Sequence, residues 1–187
     1  MYRKKKPVDD TKVAVGEAGA TATPPASVSL LRLQRDMAEF DLTDGTVGVK
    51  MGAESGERGT HTVTITLRPA EGLWKGSLYE FTVTIPSDYP FSGPKVECAD
   101  RIYHPNIDFD GGVCVSVLRP WKPTSSLQHI IFGLLLLFSD PNPNDPLNND
   151  VAEEMRNQPK LFERNVATSL SGGSLRGINF PKNRGFA

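Results

Sequence analysis

A chain of 187 residues can form one domain with a real core plus a tail, and its 38% hydrophobic and 23% charged residues are those of an ordinary globular protein. The 21 basic and 22 acidic residues leave a net charge of −1, without the basic excess expected of a nucleic-acid binder. Cys98 and Cys114 are too few for a disulfide framework, and no apolar run reaches the ~20 residues that span a bilayer, so a reducing intracellular compartment is expected.

Residues 1–26 hold charge, Gly, Ala, Thr and Pro24-Pro25, with no large apolar residue after Tyr2 except valine. Such a segment cannot bury enough surface to offset its ordering entropy, so it is expected to be a flexible extension. The basic run Arg3–Lys6 has no apolar segment behind it and is not a secretory signal.

The domain is expected over residues 27–187. Ser27 suits an N-cap, and Leu30, Leu33, Met37 and Phe40 recur on one helical face, with Arg32, Arg35 and Glu39 elsewhere. A loop with one short strand, Val47–Met51, follows. His61–Leu67 and Leu78–Ile85 alternate apolar and polar residues, are rich in β-branched and aromatic types, and predict an antiparallel hairpin. Lys95–Cys98 reads as a fourth strand. From Arg101 to Pro123, Gly, Pro, Asn and Asp predominate and predict a long loop, a feature that in compact domains is usually functional. Leu127–Phe138 predicts a largely buried helix ended by Asp140-Pro141. Asn149–Gln158 and Lys160–Leu170 predict two more, with Pro159 in the first turn of the second and Gly172-Gly173 closing it. The fold class is α+β: a helix, a four-stranded antiparallel meander, a functional loop and C-terminal helices.

The loop carries the chemistry. In it stand His104-Pro105-Asn106, then Cys114, then Trp121-Lys122-Pro123; Tyr89-Pro90-Phe91 and Pro94 precede it, and Asp140-Pro141-Asn142-Pro143-Asn144-Asp145-Pro146-Leu147 follows. These stretches, in this order and at these gaps, resemble the ubiquitin-conjugating enzyme family over residues 27–187. His-Pro-Asn alone would be weak; four motifs together are specific. The resemblance implies the ubiquitin-conjugating fold and a transferase that holds a ubiquitin-like modifier as a thioester on Cys114.

Such chemistry suits the residues. A thiol forms a labile acyl ester, and with a pKa near 8.5 against ~10.4 for lysine it is the better leaving group when an amine attacks. By resemblance, Asn106 donates its side-chain amide to the oxyanion or holds the loop, and Asp145 orients or deprotonates the incoming lysine. His104, Pro105 and Trp121 would support the loop. Phe91 and Pro123 match positions that meet a RING-type ligase, and Arg32 and Arg35 lie on the helix that contacts the activating enzyme.

Each residue also has a plainer reading. Cys114 could be a small core residue, although a Gly-rich loop is a poor place for one. Cys98, at a strand end, matches no active-site position and reads as core. His104 precedes a proline and suits loop bracing better than base catalysis. Asp145 could be a turn or cap residue, Phe91 and Pro123 packing residues, and Arg32 and Arg35 a solvated face. His61 and His129 stand apart from any metal-ligand spacing, so no metal is expected. A cysteine hydrolase would need a histidine base that the pattern does not supply.

Leu31–Leu42, Leu147-Asn148, Leu161–Gly173 and the Trp-Lys-Pro loop resemble the neddylation branch in particular. Two departures point the other way: Met1–Lys6 is basic without a clear apolar pair, and Phe91 is more typical of ubiquitin-transferring members. The expected partners are a Nedd/Rub-type modifier, its activating enzyme, a RING-type ligase and a cullin-type substrate. Ubiquitin as modifier and a non-catalytic binding module are the alternatives. No cofactor, nucleic acid or membrane is expected, and the protein is expected to be a cytoplasmic and nuclear monomer.

Overall fold

The computed structural model describes residues 27–39, 47–54, 59–113 and 121–186. Cys114 and the extension over 1–26 therefore lie outside the described residues, as does Phe40. The order is α1 (Val28–Ala38), β1 (Val47–Glu54), β2 (His61–Leu67), β3 (Tyr79–Ile85), β4 (Lys95–Cys98), α2 (Leu127–Ser139), α3 (Asn149–Asn157), α4 (Pro159–Leu170), and a short pair, β5 (Ser174–Leu175) and β6 (Ile178–Asn179). Neither α2 nor any other described helix is long and apolar enough to cross a membrane.

β1 to β4 form an antiparallel meander in chain order. Alternation sets its two faces. His61, Val63, Ile65 and Leu67 of β2 are buried while the threonines between them are half-exposed, and Tyr79, Phe81, Val83 and Ile85 repeat this on β3. The register runs from His61 opposite Ile85 to Leu67 opposite Tyr79, so the apolar sets of both strands share one face. β4 adds Val96 and Cys98, the latter opposite Phe81.

α2 covers that face. Phe138 stacks on Tyr79 with ring centroids 4.9 Å apart and meets Phe81 and Trp74 edge-on. Burying one such ring contributes about 1.5–3 kcal/mol. Ser27 caps α1 by accepting from the Leu30 amide at 3.2 Å, and Asn148 caps α3 by accepting from Val151 at 3.2 Å. Pro159 opens α4, where its missing N–H costs no helical bond.

The elements fall within a few residues of their expected bounds, with two differences. Gly172-Gly173 ends α4 as expected, but the chain then returns as the β5–β6 hairpin, a pair too short for period-2 patterning to reveal. On α1, Leu33 is fully buried, but Leu30 and Met37 are only half-buried, and the buried set is Ser29, Leu33 and Asp36. A carboxylate occupies a core position because the surrounding loops supply it with donors.

Candidate active site

The segment after β4 is held in place before it reaches Cys114. Cys98 donates its amide to Gly111 O at 2.7 Å, Asp108 donates to Gly112 O at 2.7 Å, and Ile107 pairs antiparallel with Val113, the residue preceding Cys114. Gly111 is required here: its φ is +93°, and a Cβ would stand 2.4 Å from Cys98 O. Burial pushes the Cys98 thiol up to about 12, which leaves it protonated and unreactive as a core residue.

His104 is fully buried between Trp74 and Phe138. Its Nδ1 accepts the Asn106 amide at 2.9 Å, so the proton sits on Nε2, which donates to Leu137 O at 2.8 Å. Burial lowers its pKa to about 4, so the imidazole is neutral near pH 7 and both nitrogens are occupied in tying the loop to α2.

Asn106, 1% exposed, joins the two halves of the site. Its Nδ2 donates to Asn142 O at 2.8 Å and Asp145 O at 3.1 Å, and its Oδ1 accepts the Asn142 amide at 2.8 Å. Pro105 contributes through its carbonyl, which accepts from Leu147 at 2.9 Å and Asn148 at 3.0 Å. The His-Pro-Asn segment thus fixes the 140–148 segment by five hydrogen bonds, and the exposed Asp145 is held beside it. Arg156 on α3 adds a bond to Pro143 O. Both amide hydrogens of Asn106 are engaged, so donation to an oxyanion requires one of them to turn away.

Trp121 is half-buried, donates Nε1 to Pro90 O at 2.8 Å and lies against Gly93, where a Cβ would approach its Cγ to 3.0 Å. It joins the segment after the thiol position to the loop carrying Phe91, which is 73% exposed. Pro123 is also exposed.

Arg32 and Arg35 separate. Arg35 is exposed and, among the described residues, pairs with Glu39 alone, at 3.2 Å along its own helix. Arg32 donates Nε to Asp36 Oδ1 at 2.8 Å, Nη1 to Pro123 O at 3.1 Å and Nη2 to Ser125 O at 2.7 Å, and lies over the Tyr89 ring. Its hydrogen bond to Asp36 raises the guanidinium pKa. Asp36, 3% exposed, also accepts from Tyr89 Oη and from the Leu127 amide at 3.2 Å. One carboxylate therefore ties α1, the Tyr89–Phe91 loop and the start of α2 together. Sequence reasoning missed it; the signal was the i,i+4 pairing of Arg32 with Asp36 on a face also holding Leu33.

A second buried carboxylate, Glu154, accepts from Tyr103 Oη at 3.0 Å, Asn165 Nδ2 at 2.8 Å and Arg176 Nη2 at 3.1 Å, fastening α3 to α4 and the β5–β6 turn. Among the described residues no group of three His, Cys, Asp or Glu side chains could hold a metal ion. A cavity of about 180 Å³, lined by Tyr79, Arg101, Lys182 and Arg184 among others, shares no residue with the Asn106–Asp145 pair.

The ubiquitin-conjugating enzyme family model matches residues 32–170. The NEDD8-conjugating enzyme Ubc12 of Dictyostelium discoideum is 39% identical over 170 residues, covering 89% of this chain and 70% of that protein. Ubc12 of Arabidopsis thaliana is 35% identical over 165 residues, with 88% of each chain covered. Among solved structures, S. cerevisiae Ubc12 matches with a TM-score of 0.78 at 38% identity, covering 86% of this chain and 88% of that one.

Proposed function

The chain belongs to the ubiquitin-conjugating enzyme family, and we propose that within it the protein carries a NEDD8-type modifier on Cys114 and passes it to a substrate lysine. What carries this reading is the run of relatives named NEDD8-conjugating enzymes, with identities such as 39% over 170 residues. The bonding around Asn106 supports it by presenting Asp145 beside the segment that leads to the thiol.

In the first step the Cys114 thiolate attacks the thioester carbonyl linking the modifier's C-terminus to the activating enzyme. The tetrahedral oxyanion collapses, the activating enzyme's thiolate leaves, and the modifier is now bound to Sγ of Cys114. In the second step a neutral lysine amine attacks that carbonyl. The Cys114 thiolate leaves, an isopeptide bond forms, and the proton lost by the amine balances the one the thiolate regains. Asp145 orients the amine or takes up its proton. Asn106 keeps Asp145 in position and is the oxyanion donor if its amide is released from one carbonyl. His104, Pro105 and Trp121 hold the surrounding loops.

Phe91 and Pro123 are proposed to meet a RING-type ligase, Arg35 to face the activating enzyme, and a cullin-type protein to supply the lysine. Residues 1–26 are proposed as an extension outside the catalytic domain, and the protein as a monomer of cytoplasm and nucleus. Thioester charging with purified NEDD8-type modifier and with ubiquitin, each with its own activating enzyme, tests the reading. Faster loading of the NEDD8-type modifier, lost in Cys114→Ala and converted to a stable oxyester in Cys114→Ser, is expected. Faster loading of ubiquitin would move the assignment to that modifier, and a reducible thioester on Cys114→Ala would remove Cys114 from it.

A further inference from the structure

An open groove of about 420 Å³ adjoins the Asn106–Asp145 pair. One side is apolar, with Leu136 on the outer face of α2, 47% exposed, and Pro141. Two carboxylates, Asp140 and Asp145, line it, and among the described residues none that lines it is a cation. Asp140 closes α2, its amide donating to Leu136 O at 2.7 Å, so its position is set by the helix end. Its carboxylate makes no hydrogen bond or ion pair among the described residues, and Arg156, on α3, is turned to Pro143 O.

A leucine and a proline beside a carboxylate suit one kind of side chain: a long aliphatic stem ending in a positive charge. Lysine and arginine lay such stems along apolar surface and keep the charged head in water. The acceptor lysine itself is directed to the thioester, so a second basic residue near it in the substrate is what the groove can take. We propose that this groove binds a basic side chain flanking the acceptor lysine, and so selects lysines in basic surroundings. The inference rests on the acceptor role given to Asp145 above, since it places the groove beside the lysine's path. Charge complementarity and continuity with that site identify the occupant, a cationic segment of the substrate.

The test uses the full chain loaded with modifier on Cys114 and three peptides with one acceptor lysine each. They differ two residues away from it, where one carries arginine, one glutamine and one glutamate. Single-turnover discharge gives the apparent KM and the maximal rate separately. For the wild-type protein the arginine peptide should have a KM about two- to fivefold below that of the glutamine peptide, the size of one exposed charge pair. The preference should shrink as salt is raised, because exposed pairs are screened. Asp140→Asn should bring the KM ratio to about one, and Asp140→Arg should turn the preference toward glutamate. A purely structural role for Asp140 would lower thermal stability without moving the KM ratio. An undiminished arginine preference in Asp140→Asn, or no preference in the wild type, would overturn the inference while leaving the thioester reading intact. Failure of the wild-type chain to form any thioester would overturn both, and a non-reducing gel reads that step separately.

Discussion

Asn106→Ala separates two roles that the family resemblance leaves joined. Among the described residues the side chain makes three hydrogen bonds, two donated to Asn142 O and Asp145 O and one accepted from the Asn142 amide. Each contributes about 0.5–1.5 kcal/mol net. Asn142 and Asp145 are exposed, so water replaces part of what is lost, and the lower end of the sum applies, about 1–2 kcal/mol. For a chain of this size that is a drop in Tm of roughly 2–8 °C. Hydrogen exchange at the Asn142 amide should quicken, because its acceptor is gone. Lysine discharge should fall further than stability alone explains, since a misplacement of about 1 Å in a reacting group can cost about 100-fold. Asn106→Asp sharpens the test. It keeps an acceptor for the Asn142 amide but turns two donated bonds into carboxylate–carbonyl repulsions, so it should discharge no faster than Asn106→Ala. A pure oxyanion donor behaves differently, losing about 2.7–4 kcal/mol of transition-state stabilisation with the loop unaffected. Slow discharge with wild-type Tm and unchanged Asn142 protection would refute the bracing argument.

Asp36→Ala should cost about 3–5 kcal/mol in chemical denaturation, because it strands Arg32, Tyr89 Oη and the Leu127 amide around a buried site; a loss under about 1 kcal/mol would show that water satisfies them. His104 gives stability a pH step of defined sign. Its folded pKa of about 4 lies below the 6.5 of the unfolded chain, so the unfolded state takes up a proton that the folded state refuses. That contribution is complete above pH 6.5 and is lost as pH falls toward 4, by about 3 kcal/mol at most, and His104→Gln should flatten the profile in denaturation melts. Arg35→Glu should slow charging by the activating enzyme while preloaded Cys114 still discharges onto free lysine. Arg32→Ala should instead lower Tm, because its guanidinium holds Pro123 O and Ser125 O; an unchanged Tm would return Arg32 to the role of a solvated docking residue.

Much of the fold was legible because it rests on periodicity. His61–Leu67 and Lys95–Cys98 form strands over those same residues, since alternation or β-branching is unbroken there, and Pro159 announces the helix start it makes. The order of the motifs likewise located the loop, where His104 makes one hydrogen bond to Asn106 and one to α2. What escaped was polar burial. Asp36 and Glu154 are 3% and 2% exposed, and a one-dimensional reading places acidic residues outside. Their burial depends on donors 53 and 91 residues away for Asp36, and 51 and 22 residues away for Glu154. Beyond the i,i+4 spacing of Arg32 and Asp36, no local pattern carries that information. The β5–β6 hairpin escaped for a related reason: it is fastened by Arg176, whose φ of 53° and pairing with Glu154 follow from the third dimension.

The distribution of these polar anchors bears on mechanism. A thioester is already reactive toward an amine, so the protein gains more from holding the acceptor side rigid than from adding acid–base groups. The bonding agrees with that emphasis. The histidine of the site is neutral and occupied, and the asparagine's hydrogens are spent on carbonyls, while Asp145 is presented at the surface by bonds to its own and its neighbours' backbone. The Asp36 cluster does the corresponding work on the other side, joining the loops of Phe91 and Pro123 to α1 and α2. A partner that pressed on Phe91 or Pro123 would meet loops tied through Tyr89 and Arg32 to one buried carboxylate. Such a surface can transmit position because its loops share one buried anchor, which is the property a ligase needs if it is to act on the transfer step from outside the site.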